Sequence, residues 1–167
     1  DSENVYVADT VNHRIQVFTK DGTFVRQWGA QGSVLGLFNR PQDVTVDRQN
    51  VYVLDPLNTR VQVFTKEGAF VRSWALPTPG YDSTESSISD GITVDAHAIY
   101  VCCAYRATYN SGYSAYFMIY DKYGSVLLKW ENKINGSSQP LDAGPFRFPS
   151  GTVMVNPFVY VIDQGAN

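Results

Sequence analysis

The stretches VYVADTVNHRIQVFTKDGTFVRQW (residues 5–28) and VYVLDPLNTRVQVFTKEGAFVRSW (residues 51–74) agree at about 16 of 24 positions without a gap. Their offset, from residue 5 to residue 51, falls in the range of repeats that build propellers and arrays. A third, divergent copy, IYVCCAYRATYNSGYSAYFMIYDKYGSVLLKW, runs from Ile99 to Trp130, and a fourth opens at VYVIDQGAN, residues 159–167. Each unit reads as four short runs rich in Val, Ile, Tyr and Phe, the residues that suit a half-buried pleated surface. Strand a is 43–47, 91–95 and 152–156; strand b is 5–9, 51–55, 99–103 and 159–163. Strand c is 14–18, 60–64 and 116–120; strand d is 23–28, 69–74 and 125–130. Lys20-Asp21-Gly22 and Lys66-Glu67-Gly68 separate c from d, and Asp-Gly is a strong hairpin signal.

Nothing in the chain sustains a helical period, so the fold class is all-β. Four antiparallel strands per repeat describe β-propeller blades. The units are 5–42 (strands b to d), 43–75, 91–130 and 152–167, all within one propeller spanning 1–167. About three blades are visible, fewer than the four to eight of a ring. The reading is therefore an incomplete arc, completed by further blades or by other chains, because an open arc leaves strand edges exposed.

The chain has 167 residues and is 44% hydrophobic and 17% charged, which supports a packed core and excludes a disordered chain. Its formal charge of −3 disfavours nucleic acid as a partner. No run is long enough for a membrane span, so no membrane insertion is expected. The adjacent Cys102 and Cys103 cannot make a disulfide framework or a zinc site. They read as two buried small hydrophobes, one on each face of an extended strand, rather than a strained vicinal disulfide.

Several residues carry a resemblance. Asp9, Asn12, His13, Arg14, Phe18, Gly22, Trp28, Gly29, Gly32, Gly36, Phe38 and Pro41 spell a pattern similar to the NHL repeat. The first two copies match closely; the third lacks the Asn-x-Arg element and has Cys103 where Asp9 and Asp55 stand. The resemblance implies a propeller, usually six-bladed. It leaves function open, since family members bind RNA or proteins, serve as extracellular modules, or form metal-dependent lyases.

Alternating strands put the a–b and c–d turns at one end of every blade, and the b–c turns and d–a crossovers at the other. All the long connections are of the second kind: Gly29–Gln42, Leu76–Asp90, Glu131–Ser150 and the b–c loop Ala104–Ser114. A scaffold that gathers its variable loops on one face presents them for binding. Tyr81, Tyr105, Tyr109 and Tyr113 lie in these loops among Ser, Gly and Asn, and Arg106 joins them. Tyr gives wide amphipathic contact at low entropy cost, which suits protein or glycan partners.

The charged set Asp9, Asn12, Arg14 and Asp55, Asn58, Arg60 reads as a structural lock. The Asp would accept backbone bonds in its turn, the Asn would take the left-handed conformation, and the Arg would pair with the Asp. Trp28, Trp74 and Trp130 share one strand-d position and read as blade-to-blade packing. His13 and His97 are too few and too far apart for a metal centre. No catalytic residues, metal or cofactor are assigned. Asn135-Gly136-Ser137 is a glycosylation sequon, which points to an extracellular or cell-surface address. The expected function is a non-enzymatic protein- or glycan-binding or assembly module. The alternatives are an extracellular filament subunit, a lyase-type enzyme and an RNA-binding domain.

Overall fold

The computed structural model describes residues 1–77, 87–106, 113–134, 149–155 and 158–163. It divides into two compact units, residues 1–76 and 77–167. Among the described residues the only helices are two single 3-10 turns, Thr10–Asn12 and Pro56–Asn58. Tyr81, Tyr109 and Asn135 lie outside the described residues.

The first unit holds two antiparallel sheets. One is β1 (Asn4–Asp9), β2 (Arg14–Thr19) and β3 (Phe24–Trp28), paired in that order. The other is β4 (Asp43–Val46), β5 (Asn50–Asp55), β6 (Arg60–Thr65) and β7 (Phe70–Ala75). The copies fold alike: Val5 pairs with Phe18 and Asp9 with Arg14, as Val51 pairs with Phe64 and Asp55 with Arg60. Each c–d hairpin turns on a glycine at positive φ, Gly22 at 87° and Gly68 at 92°. A one-residue register shift follows, between Val17 and Phe18 and between Val63 and Phe64. Such a left-handed position plus a bulge keeps the hairpin's twist aligned with its strands.

The core of this unit is Ile15, Phe38, Val51, Val53 and Phe64, all buried, with Tyr6, Ala8 and Trp28 packed against them. Tyr6, Ala8 and Ile15 come from one face of the first sheet; Val51, Val53 and Phe64 come from the facing side of the second. Period-2 alternation puts these residues on shared faces. Trp28 lies 5.8 Å from Phe64 between ring centroids, so it packs from blade to blade. Phe38 is not in a strand; it enters from the crossover and sits 5.5 Å from Phe64.

The second unit holds β8 (Ser87–Val94), β9 (Ala98–Arg106), β10 (Tyr113–Asp121) and β11 (Val126–Ile134) in one sheet. A two-stranded sheet follows, β12 (Pro149–Val155) with β13 (Phe158–Asp163). These strands are longer than the sequence pattern gives. β9 and β10 continue beyond the expected ends, pairing Tyr105 with Ser114 and Arg106 with Tyr113. Tyr105, Arg106 and Tyr113 therefore belong to strands rather than to the predicted b–c loop Ala104–Ser114. The cause is local: this copy has no Asn-x-Arg turn to end strand b, so pairing propagates. β8 likewise starts at Ser87 and β11 runs to Ile134, which shortens both predicted crossovers. Cys102 and Cys103 are both buried. Trp130 stacks on Phe117, its register partner in the same sheet, at 5.4 Å between ring centroids.

A second recurring contact closes the a–b turns. Asp47 Oδ1 accepts the Gln49 and Asn50 N–H groups, and the Tyr52 hydroxyl donates to Asp47 Oδ2 at 2.8 Å. Asp95 accepts from His97, Ala98 and the Tyr100 hydroxyl in the same way, and Asp1 from Glu3, Asn4 and Tyr6. Burial, with the Asp47 carboxylate beside it, pushes the Tyr52 phenol up to about 12. Because the folded state holds the proton more tightly, this contribution is complete below pH about 10 and fades as pH climbs towards 12. Tyr52→Phe is expected to lower stability by about 1.5–3 kcal/mol, the range for a hydrogen bond to a charged group. Urea unfolding at pH 7 would measure it, and an unchanged midpoint would count against this reading.

Candidate functional site

The b–c turns and d–a crossovers share one end of the sheets, and the best described part of that end is the crossover Gly29–Gln42. Its sequence is GAQGSVLGLFNRPQ. Gly32 N donates to Phe38 O and Phe38 N to Ala30 O, both at 2.9 Å, so the segment doubles back on itself. Gly29 takes φ 97°, and a Cβ there would stand 2.4 Å from the Phe38 ring. The backbone thus turns around a buried aromatic anchor, and only glycine leaves room for it.

The second blade's b–c turn grips this segment. Arg60 Nη1 donates to Ser33 O at 2.7 Å, and Nη2 to Leu37 O at 2.7 Å and Val34 O at 3.2 Å. Arg60 Nε donates to Asp55 Oδ2 at 2.9 Å. Asn58 Nδ2 bridges Gly32 O and Asp55 Oδ2 at 2.9 and 2.8 Å. Gln62 donates to Leu37 O at 2.8 Å and accepts from Gly36 N at 2.9 Å. The Asn39 N–H donates to Asp55 Oδ1 at 2.9 Å. Asp55 and Gln62 are wholly buried and Arg60 nearly so. A buried charge is tolerated when it is paired and its remaining hydrogen-bonding capacity is filled, and here both conditions hold. The planar guanidinium suits this task, since its fork reaches three carbonyls and a carboxylate at once.

The first blade carries the same side chains in a more open setting. Arg14 Nε donates to Asp9 Oδ2 at 2.7 Å, Asn12 Nδ2 reaches Asp9 at 2.9 Å, and Gln16 Nε2 donates to Asp9 Oδ2 at 2.8 Å. The Arg14 hydrogen bond holds the Asp9 carboxyl below the usual carboxylate range. These bonds run between side chains. The turn's own backbone does not supply them, contrary to the sequence expectation, and neither Asp9 nor Asp55 makes a side-chain cap bond to its 3-10 turn. The left-handed residue is also displaced by one: His13 at φ 54° and Thr59 at φ 50° take it, while Asn12 and Asn58 end the 3-10 turns. The asparagine amide is needed beside the carboxylate, so the strain passes to its neighbour. His13 is further used through Nδ1, which accepts the Arg40 N–H at 3.0 Å. His97 is exposed in an a–b turn at the opposite end.

Outward from this hydrogen-bonded floor, the same end shows apolar side chains to solvent. Val34 is 65% and Leu35 59% exposed at the tip of the crossover, and Val11 is 73% exposed in the first b–c turn. Of the Tyr and Arg candidates, Tyr105, Arg106 and Tyr113 are brought to adjacent register positions at the end of β9 and β10. Sequence composition does not single out Val11, Val34 or Leu35. Two adjacent aliphatics inside a polar glycine-rich loop were the available signal. Among the described residues no cluster of three or more His, Cys, Asp or Glu could hold a metal ion. No helix among them is long and apolar enough to cross a membrane.

Comparison with known proteins places this geometry. A family model described as a 6-bladed beta-propeller matches residues 1–129. A solved structure of a Bacteroides fragilis NCTC 9343 protein described as exported is similar in fold, with a TM-score of 0.57 and 18% sequence identity. The alignment covers 96% of this chain and 42% of that one, so the chain spans less than half the length of that structure. No curated protein matches the sequence.

Proposed function

The chain belongs to the 6-bladed beta-propeller family, and we propose that it is a non-enzymatic recognition module of NHL type, acting outside the cell through the end that carries its b–c turns and d–a crossovers. The observation that carries this reading is the crossover tip. Val34 and Leu35 are held out to solvent by a loop whose carbonyls are fixed beneath by Arg60, Asn58 and Gln62. Those bonds fix the loop's main chain, and exposed aliphatics above such a floor suit a partner surface. Aliphatic tips favour a protein partner over a glycan, because sugars are met by aromatic faces and polar forks rather than by Val and Leu. The repeated Asp-x-x-Asn-x-Arg turn supports the NHL assignment. The Asn135 sequon, together with the fold's likeness to a protein described as exported, supports the extracellular address.

Site-specific photo-crosslinking tests the reading. A benzophenone side chain at Leu35 is expected to give defined protein adducts when the module is displayed on its native cells. The same group at Gln49, exposed in an a–b turn at the other end, is expected to give none. Adducts of equal yield from both ends, or adducts from Gln49 alone, would remove the assignment of the face.

A further inference from the structure

Strand d is the last strand of its sheet in each copy. β2, β6 and β10 pair β3, β7 and β11 on one side, and no described strand lies on the other. A one-residue bulge, at Val25, Val71 and Leu127, follows each c–d hairpin. Past the bulge the edge is residues 26–28 in β3, 72–75 in β7 and 128–134 in β11. The two short edges open on Arg26 and Arg72, and a charged side chain there guards an edge against a further strand. The long edge opens on Leu128 instead, and Trp130 on it is 40% exposed. An edge of that length without its guard is a template for another strand.

The order of charges along β11 selects which strand. Lys129 and Glu131 flank Trp130, and period-2 alternation puts both on one face. Lys129 Nζ is 2.8 Å from Glu131 Oε2 and 5.3 Å from the centroid of the Tyr116 ring, and both charged side chains are partly exposed. An antiparallel second copy of β11 centred on Trp130 sets Lys129 opposite the partner's Glu131, and Glu131 opposite the partner's Lys129. Opposite charges facing across a strand pair stabilise it, and like charges directly opposed destabilise it. Centring on Lys129 or on Glu131 would set that residue against itself, so the charge order favours Trp130 as the centre. An ammonium donates more than once and a carboxylate accepts more than once, so the internal bridge and the cross-strand one are compatible. A residue opposed by its own copy also keeps the outward-pointing backbone groups of the two strands in step. On the other face the two Trp130 rings meet as a cross-strand aromatic pair. We propose that β11 is a self-association edge, through which two copies of this chain pair antiparallel over residues 128–132 about a two-fold axis.

This edge belongs to the second unit's sheet, and the proposal stands independently of the partner surface at Val34 and Leu35. Sedimentation velocity of the full chain over a concentration series tests it. A monomer–dimer equilibrium is expected at low salt, weakening as salt screens the facing charges. Lys129→Glu and Glu131→Lys are each expected to weaken dimerisation by about tenfold or more, because each sets like charges opposite one another. An equimolar mixture of the two variants is expected to recover the dimer, since the acidic edge of one then faces the basic edge of the other. Variants that had failed to fold could not recover on mixing, which separates lost pairing from lost folding. A chain that stays monomeric at every concentration would overturn the proposal. So would a dimer that both single changes leave intact, or a mixture no more associated than its components.

Discussion

Arg60→Ala is expected to lower the unfolding free energy by about 3–5 kcal/mol, while Arg14→Ala, the same change in the same motif, is expected to lower it far less. The two pairs differ little in geometry, at 2.9 and 2.7 Å, and greatly in burial. Asp55 has no solvent access. Removing Arg60 leaves its carboxylate without its cation, and strips donors from the carbonyls of Ser33, Val34 and Leu37. A buried charge left without compensation costs several kcal/mol because water cannot reach it. At Asp9, water reaches the pair, and the loss is that of a screened surface ion pair. Urea titrations of both variants measure the contrast. Equal losses would mean that the crossover is held by Phe38 and its neighbours alone and that the hydrogen-bonded floor contributes nothing.

That contrast marks what the sequence could tell. The antiparallel sheets of the first two blades were legible from residues 5–28 and 51–74, because strand alternation and turn chemistry are local and recur twice. The pairing of Asp9 with Arg14 was also within reach, since the two end adjacent strands at opposed register positions. What Arg60 holds was not. Its acceptors are main-chain carbonyls 23 to 27 residues away, and a carbonyl has no side-chain signature. The roles of Asn12 and Asn58 were misassigned for a related reason. Conformational preference argued for the left-handed position, but the need for an amide beside the Asp is a tertiary demand, and it overrides propensity. The strand ends in the third copy fail in another way. Ser, Gly and Tyr around Tyr105 and Tyr113 read as loop by composition, yet backbone pairing continues wherever no turn interrupts it. The pairing of Asp1, Asp47 and Asp95 with Tyr6, Tyr52 and Tyr100 was in plain view at a fixed spacing of five. It passes unnoticed because each member taken alone is an ordinary turn aspartate or strand tyrosine.

Phe38 and Gly29 give the second large effect, and a double-mutant cycle separates its causes. Phe38 is fully buried among Ile15, Val51, Val53 and Phe64, so Phe38→Ala is expected to cost about 3–5 kcal/mol, through lost burial and the cavity left behind. Gly29→Ala alone meets two obstacles. Its φ of 97° disfavours any L side chain, by about 1–2 kcal/mol, and its Cβ would fall 2.4 Å from the Phe38 ring. That ring has little room to retreat, because it is fully buried and packed against Phe64 at 5.5 Å between centroids. Forcing it aside adds about 1–3 kcal/mol of overpacking. In the Phe38→Ala background the steric part disappears and only the backbone part remains. The cycle is therefore expected to show Gly29→Ala milder in the double variant by about 1–3 kcal/mol, a coupling of the size seen between residues in contact. Strict additivity would mean that the glycine is required for its backbone angle alone. The converse, with nearly the whole cost removed by Phe38→Ala, would mean that the left-handed turn is imposed by the aromatic anchor and relaxes without it. In either case the crossover would no longer reach Arg60 in register, and Val34 and Leu35 would lose the floor that holds them to solvent.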